Sequence, residues 1–589
     1  MNMRSDSPRS AASAVKPRYS SVGRHKAGGA TYTPMRLAEF VAAQMVAIAN
    51  IPECGRLRIL DPACGDGALL SALLDALPED ALRRADVVGF DTDVNAVSAT
   101  ETRLRETFPT ISLRIEPHDF LEYVLGLDNF GDFLSIEAAE PFDFVIANPP
   151  YVRTQILGAK QAQQLAQQFE LSGRVDLCFP FLLGISRVLA PNGVAGVIVS
   201  NRFMTTKSGQ AVRQQLLSRF RLRHVWDLGD TKLFNAAVLP AVLLAQGNGS
   251  AETSGTALSS IYETNKTPTG EAPDPLAALA FPNGSIIAVP DSRRFRVLHG
   301  TLSNGGNSEN VWRVATEITD AWLATVNAHT WAQFSHIGKI RVGVKTTADK
   351  VFIRSDWDTM PENERPELLR PLTTRHCARR FRAKLPKEPK QILYPHQSSA
   401  AGRTTVDLSQ YPKSARYLER YRATLEARTY VIRAGRRWYE IWVPQDPSAW
   451  VNPKLVFLDI AERPKFWIDT EGSIVNGECY WLRCEGNANP DLLWLALAVA
   501  NSTFIEAFYD HRFHNKLYAG RRRFITQYVE HFPLPNPDSE LSRSMVTLAK
   551  RIYAVIPSGE ADTLARDLDG LVWRVFGLPV EEIPRERNL

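Results

Sequence analysis

Four short apolar runs, each stopped by a polar or glycine-bearing turn, organise the first 150 residues. Leu57-Arg58-Ile59-Leu60 leads into Asp61-Pro62-Ala63-Cys64-Gly65-Asp66-Gly67, which opens the apolar stretch Ala68-Leu69-Leu70-Ser71-Ala72-Leu73-Leu74. That order reads as strand, glycine turn, helix. Asp86-Val87-Val88-Gly89-Phe90 is a second strand ending in Asp91, and Leu113-Arg114-Ile115 a third, followed by Asp119 and Phe120. Phe142-Asp143-Phe144-Val145-Ile146-Ala147 is a fourth, ended abruptly by Asn148-Pro149-Pro150-Tyr151. The pattern predicts an open α/β sheet, whose chemistry is presented at the carboxyl ends of its strands.

The rest of the chain divides by texture. Residues 1–29 are rich in Ser, Ala and Arg without periodic hydrophobics, and read as a disordered basic tail. From Gly247 to about Pro275 a Gly/Ser/Thr-rich stretch reads as a flexible linker or a large surface loop. The expected division is therefore a domain over 30–246, a linker and connecting region over 247–329, a second domain over 330–535 and a helical tail over 536–589. Beyond residue 330 the pattern changes to short strand-like runs crowded with arginines and aromatics, and no repeat of fixed period is present.

Candidate chemistry sits at the strand ends. The two prolines after Asn148 stiffen the backbone and leave the carbonyls of Asn148 and Pro149 able to accept hydrogen bonds. A side-chain amide oxygen beside a bare carbonyl suits a planar exocyclic NH2 group. Asn-Pro-Pro alone reads more readily as an ordinary turn after a buried strand, and any one of Asp61, Asp91 and Asp119 as a solvated loop carboxylate. Three acids at successive strand ends, with a glycine turn between them, instead match the plan of a nucleotide-type cofactor site. The turn is neither GxGxxG nor the lysine-bearing P-loop, so a dinucleotide or nucleoside triphosphate is not indicated.

Composition changes this picture little. The 589 residues exceed one typical domain, and 44% hydrophobic with 23% charged residues is ordinary for a folded soluble protein. A net charge of +5 is mild, so what matters is where the charge lies. No apolar stretch is long and uncharged enough to span a membrane. Six cysteines without CxxC spacing or paired histidines give no zinc site and suit a prokaryotic cytosol. Three basic clusters stand out: Arg370 to Lys384; Arg416 to Arg437, interleaved with Tyr417, Tyr421 and Tyr430; and Lys516 to Arg523, with Tyr518. One such cluster is ordinarily a solvated face; three in one half of the chain suggest a phosphate-tracking surface.

With these residues the chain resembles the S-adenosylmethionine-dependent amino-methylating DNA methyltransferases, particularly the TaqI-like N6-adenine enzymes of restriction–modification systems. Thr31-Tyr32-Thr33-Pro34 looks like their amino-terminal cofactor motif, with Thr33 near the methionine part. Asp61 to Gly67 looks like their cofactor loop, including Asp61, Ala63 and Gly65, with Asp66 in place of a common serine. Asp91 matches the ribose carboxylate, and Asp119 with Phe120 the pair that holds the adenine. Asn148-Pro149-Pro150-Tyr151 matches the catalytic tetrapeptide. Leu228-Gly229-Asp230-Thr231-Lys232-Leu233-Phe234 resembles the later segment whose phenylalanine stacks on a flipped base.

The resemblance implies a Rossmann-like, seven-stranded class I methyltransferase domain joined to a carboxyl-terminal mixed α/β target-recognition domain. It implies methyl transfer from S-adenosylmethionine to N6 of an adenine flipped out of double-stranded DNA, without metal, with Asn148, Pro149, Tyr151 and Phe234 around the base. A separately encoded restriction endonuclease is the implied companion. Three other readings stay open. N4-cytosine methylation more usually has serine at position 148; protein or RNA amide methylation uses the same tetrapeptide in shorter chains; and Glu388-Pro389-Lys390 has the form of a nuclease motif, though without a neighbouring Pro-Asp.

Overall fold

The computed structural model describes residues 32–129, 140–151, 159–171, 176–234, 239–247, 255–307, 310–400, 402–486, 489–514, 516–517 and 520–579. The basic tail, Tyr518 and residues 248–254 of the expected linker lie outside these. The described residues fall into two compact units, the first from residues 32–261, 270–291 and 304–311, the second from 262–269, 292–303 and 312–579.

In the first unit the apolar runs become strands β1 (Leu57–Asp61), β2 (Ala85–Asp91), β3 (Ser112–Pro117), β4 (Phe142–Ala147), β5 (Leu189–Ser200), β6 (Phe220–Asp227) and β7 (Pro240–Gly247). Their order across the sheet is β3-β2-β1-β4-β5-β7-β6. All neighbours up to β5 pair in parallel, and β7 runs antiparallel to both β5 and β6. Parallel strands covered on both faces need near-continuous apolar sequence. Leu57, Ile59 and Leu60 of β1 and Phe144, Val145 and Ile146 of β4 accordingly lie in the core.

Helix α1 (Met35–Ile48) lays Leu37, Ala38, Val41, Ala42 and Met45 against the sheet. It comes so close that a side chain on Gly196 of β5 would stand 2.4 Å from the Met45 sulfur. Helices α2 (Ala68–Ala76), α3 (Val94–Thr107), α4 (Phe120–Asn129) and α5 (Cys178–Val188) complete the first unit's helices near the site. The strand order reverses between β1 and β4, so the crevice at their carboxyl ends is a topological switch point.

The stretch expected to be a linker carries structure. Strand β8 (Ala257–Glu263) runs parallel to β6 over residues 257–260, burying Leu258 and Ile261. Composition counted its serines and threonines as flexible, but Ser259 and Ser260 are buried within the strand.

The second unit is built on two small sheets. One has the order β9 (Arg341–Val342), β19 (Cys479–Leu482), β16 (Lys454–Leu458), β17 (Phe466–Asp469), β12 (Phe381–Arg382). The other runs β10 (Ile353–Arg354), β13 (Lys390–Leu393), β11 (Leu369–Thr373), β18 (Ile474–Val475). One apolar cluster draws on both, with Trp357, Trp450, Trp467 and Trp481 fully enclosed. A hairpin of β14 (His396–Ser399) and β15 (Gly402–Thr405) forms a separate two-stranded sheet.

Helices α6 (Asp491–Ala500), α7 (Thr503–Phe513), α8 (Glu540–Val555) and α9 (Gly559–Val575) pack together in this unit. The expected tail is thus part of the second unit. Met545, Ala549 and Ile552 of α8 and Leu564, Leu568 and Val572 of α9 are buried at helical spacing. Among the described residues no single helix is long and apolar enough to cross a membrane.

Candidate active site

At the switch point the first unit holds a cleft of about 670 Å³, within the ordinary range for a small-molecule site. Its floor is the turn after β1. Cys64 N–H bonds to the carbonyl of Phe90 at 2.8 Å, and Thr100 Oγ1 to that of Gly65 at 2.7 Å. Gly65 and Gly67 have φ of +51° and +78°, and a side chain on Gly67 would meet Thr100 at 2.9 Å. Backbone conformation demands glycine at both positions, and at Gly67 space does as well.

Asp91, at the end of β2, ties this turn down. One carboxylate oxygen accepts Gly65 N–H at 2.9 Å and the other accepts Asp93 N–H at 2.9 Å. A carboxylate offers about four acceptor directions, so each oxygen keeps capacity towards the cleft that Asp91 lines. Asp119 also lines the cleft, with Oδ1 accepting Leu121 N–H at 2.8 Å at the start of α4. Phe120 is 1% exposed and packs on Phe181 at 5.4 Å between centroids. With Leu121 it makes an apolar wall.

Asn148, Pro149 and Tyr151 enter from the end of β4. The Asn148 side-chain nitrogen donates to Thr33 Oγ1 at 3.0 Å, which orients the amide across 115 residues of chain. The Tyr151 hydroxyl is enclosed, with no hydrogen-bond partner among the described residues, and burial holds its pKa well above the usual phenol value. Cys64 is buried too, its thiol pushed up by desolvation and by Asp61 and Asp91, so it is not poised as a nucleophile.

Of the residues singled out in the sequence, Thr33, Ala63, Gly65, Asp91, Asp119, Phe120, Asn148, Pro149 and Tyr151 are brought together around this cleft. Two are not. Asp61 is fully buried behind the turn, and Phe234 is 5% exposed in the core after β6. Neither lines the cleft: the Asp61 carboxylate is enclosed, with Oδ1 turned back to accept Ala63 N–H, and the Phe234 ring is buried. Phe181 lines the cleft without having been singled out, and Tyr32 does so from within the Thr31-Tyr32-Thr33-Pro34 motif, in which only Thr33 was given a role. Tyr32 is 57% exposed with its ring 3.8 Å from where a Gly65 side chain would sit; Phe181 is one apolar residue in an apolar helix.

Asp61 Oδ1 accepts Ala63 N–H at 3.0 Å, whereas Oδ2 has no partner among the described residues. Burial, with added repulsion from Asp91 and Asp66, pushes its pKa from 3.8 up to about 8. The unfolded chain therefore releases this proton earlier than the folded one. The stability it contributes is full below pH about 4 and lost as pH rises through about 8. In the ligand-free protein Asp61→Asn should flatten the fall of Tm between roughly pH 4 and 8. Scanning calorimetry giving equal slopes for both proteins would refute this.

In the second unit, one of the three basic clusters is mostly paired internally. Arg522 makes two bonds to Asp510 at 2.8 and 2.9 Å, Lys516 pairs with the same carboxylate at 3.3 Å, and Arg523 pairs with Asp459 at 3.0 Å. In the others Arg375, Arg420 and Arg422 pair with Glu478, Glu364 and Glu426. Exposed Arg370, Lys384, Arg416 and Arg433 have no carboxylate partner among the described residues.

The strand order, the glycine turn and the acids at the strand ends define a class I S-adenosylmethionine-dependent methyltransferase. The family model "Eco57I restriction-modification methylase" matches residues 86–234. The chain is 35% identical over 570 residues to the type II methyltransferase M.BanIII of Aneurinibacillus aneurinilyticus, covering 94% of this chain and 98% of that one. To M.BstVI of Geobacillus stearothermophilus it is 23% identical, covering 94% and 97%. In fold it is similar to the type IIL restriction-modification enzyme MmeI, solved with DNA, at a TM-score of 0.53 and 13% identity over 89% of this chain and 70% of that one. The chain belongs to the type II DNA methyltransferases of restriction–modification systems, and its methyl donor is S-adenosylmethionine.

The cleft fits that donor. Its lining includes the Asp91 carboxylate, which could accept from vicinal hydroxyls, apolar walls at Phe120 and Phe181 of the kind a purine needs, and a glycine turn that allows close approach.

Proposed function

We propose that the chain methylates N6 of adenine at one specific sequence in double-stranded DNA, after drawing the base out of the helix. The observation that carries this reading is the Asn148–Thr33 hydrogen bond. With its nitrogen engaged by Thr33, the Asn148 amide directs its acceptor oxygen to an incoming amino group. The Pro149 carbonyl is the second acceptor, because proline leaves no N–H to compete in the turn.

An aromatic amine is a weak nucleophile because its lone pair is delocalised into the ring. Two acceptors placed around the NH2 hydrogens favour a pyramidal nitrogen and localise that lone pair. Asn148 and Pro149 thereby act through orientation and fixed dipoles rather than through a covalent intermediate. Bound S-adenosylmethionine supplies the electrophilic methyl group. Asp91, Asp119 and the Gly65 turn hold it, and Thr33 links its side of the cleft to the acceptor pair.

Asn148 favours adenine over cytosine as target, since the same tetrapeptide opening with serine would suit the N4-cytosine reaction. The base has to leave the duplex to reach a cleft of this depth. Tyr151 offers one stacking face. Phe234 would have to turn out of its buried position to offer the other, so Tyr151 carries the clamp. Tyr151→Ala should weaken base capture by ~1–3 kcal/mol. With 2-aminopurine at the target position, the wild type should quench the fluorescence that extrusion produces, and Tyr151→Ala should leave it bright. Equal signals would exclude Tyr151 from the clamp.

The function as a whole is tested by sequencing modified bases in DNA from a host with and without this chain. N6-methyladenine in one recurring sequence is expected. Its absence, or methylation elsewhere on cytosine, would overturn the reading. A separately encoded endonuclease cutting that same sequence is the partner this function calls for.

A further inference from the structure

The hairpin β14–β15 is unlike every other paired element of the second unit. Gln397, Ser398, Ser399, Ala400, Gly402 and Arg403 are all exposed, on both faces of the ribbon. Nothing on it is large and apolar, so it serves neither the core nor an apolar partner. Isolated two-stranded hairpins are marginal in water, and this one is braced at its base. His396 is buried, and its Nε2 accepts Ile441 N–H at 3.1 Å. Burial, with Arg403 and Arg436 nearby, pushes that imidazole down to about 3, so it stays a neutral acceptor. Tyr439 donates to the Val406 carbonyl at 3.0 Å and Tyr394 to that of Pro444 at 2.7 Å.

Beside the ribbon lies a recess of about 400 Å³, lined by Arg341, Ser398, Ser399, Arg403, Gln445 and Asp446. Gln445 has φ of +62°, uncommon for this residue, and its side chain donates to the Val342 carbonyl at 2.7 Å. Arg341 is held by Glu485 at 2.9 Å. Among the described residues no carboxylate pairs with Arg403. The recess therefore mixes one uncommitted guanidinium with acceptors at Gln445 and Asp446. A phosphate site would present donors alone, and a carboxylate in it would repel the ligand; the major-groove edge of a G·C pair presents acceptors on guanine and a donor on cytosine together.

We propose that the β14–β15 ribbon enters the major groove of the DNA substrate, and that Arg403 reads a guanine edge there. This rests on the reading of duplex DNA as the substrate. The dimensions agree: a two-stranded ribbon fits a groove ~12 Å wide, and the three exposed residues of β14 span about 10 Å, past a floor ~8.5 Å deep. Arginine matches the two acceptors of guanine in that groove with two parallel hydrogen bonds, which lysine cannot reproduce.

The experiment measures methylation of the cognate duplex, and of duplexes altered one position at a time, by wild type, Arg403→Ala and Arg403→Lys. Arg403 is exposed, so unchanged melting temperatures serve as the folding control. Arg403→Ala should lose roughly ten- to hundredfold in kcat/KM on the cognate site. Its discrimination should vanish at one or two positions and persist at the others, and lysine should not restore it. A loss uniform over all sequences and repaired by lysine would show a phosphate contact and overturn the proposal, as would unchanged specificity. Wild-type protein that methylates DNA site-specifically beside unaltered variants sinks the ribbon alone. Wild-type protein with no site-dependent activity on DNA sinks the substrate reading, and the ribbon with it.

Discussion

Asn148→Ala is expected to abolish methyl transfer while S-adenosylmethionine affinity stays within about twofold of wild type. Removing one preorganised polar group that acts only in the transition state costs on the order of 10²–10³ in kcat. Here the loss should exceed that range and leave no detectable transfer, because the Pro149 carbonyl alone can engage one amine hydrogen but cannot make the nitrogen pyramidal. Asn148 lines the cleft from the β4 end, away from the Asp91 carboxylate that ties down the glycine turn. Cofactor affinity should therefore survive. Thr33→Val offers a graded companion: it removes the hydroxyl that holds the amide at 3.0 Å, leaving Asn148 present without that bond. Its kcat should fall less than that of Asn148→Ala, with KM for DNA little altered. Radiolabel transfer measures both. Substantial activity in Asn148→Ala would remove the residue from the chemistry.

Asp91→Ala is expected to do the reverse and cripple cofactor binding. The carboxylate has two duties, accepting Gly65 N–H and Asp93 N–H within the protein and offering its remaining acceptor capacity to the cleft. Hydrogen bonds to charged groups are worth about 1.5–3 kcal/mol, so affinity should drop roughly ten- to a hundredfold, more if the turn loosens. Asp91→Asn should not rescue it. An amide can accept from Gly65, but its NH2 end would then face the Asp93 N–H, donor against donor. Calorimetric titration with S-adenosylmethionine reads all three proteins directly. Unaltered affinity in Asp91→Ala would rule out its assignment.

What the sequence made legible was local. Asp91, Asp119 and Asn148 each follow an apolar run immediately, so the strand that positions them and the side chain that matters lie within a few residues of each other. Parallel pairing of buried strands then brings their ends together without further information. Side chains recruited from afar left no such mark. Phe181 reaches the cleft from a helix whose neighbours are equally apolar, and Tyr32 through the path of the chain ahead of α1. Phe234 was placed by similarity of a segment, but its ring is buried and does not line the cleft.

Charge misled for a related reason. The run Arg521-Arg522-Arg523 counts as three positive charges in sequence, yet Arg522 and Arg523 are paired with Asp510 and Asp459, the latter more than 60 residues away. Arg403 stood outside the noted clusters, and only the exposure of its hairpin singles it out. Serine and threonine between residues 255 and 263 suggested a linker, while Leu258 and Ile261 carried the strand.

The central claim concerns one atom, the exocyclic nitrogen of adenine. Purified protein is incubated with duplex DNA and S-adenosylmethionine labelled in its methyl group, the DNA is digested to nucleosides, and the labelled nucleoside is identified by mass spectrometry. All of the label should be found in N6-methyldeoxyadenosine, and Asn148→Ala should give none. Label in N4-methyldeoxycytidine, or label in the protein fraction with none in DNA, would contradict the account.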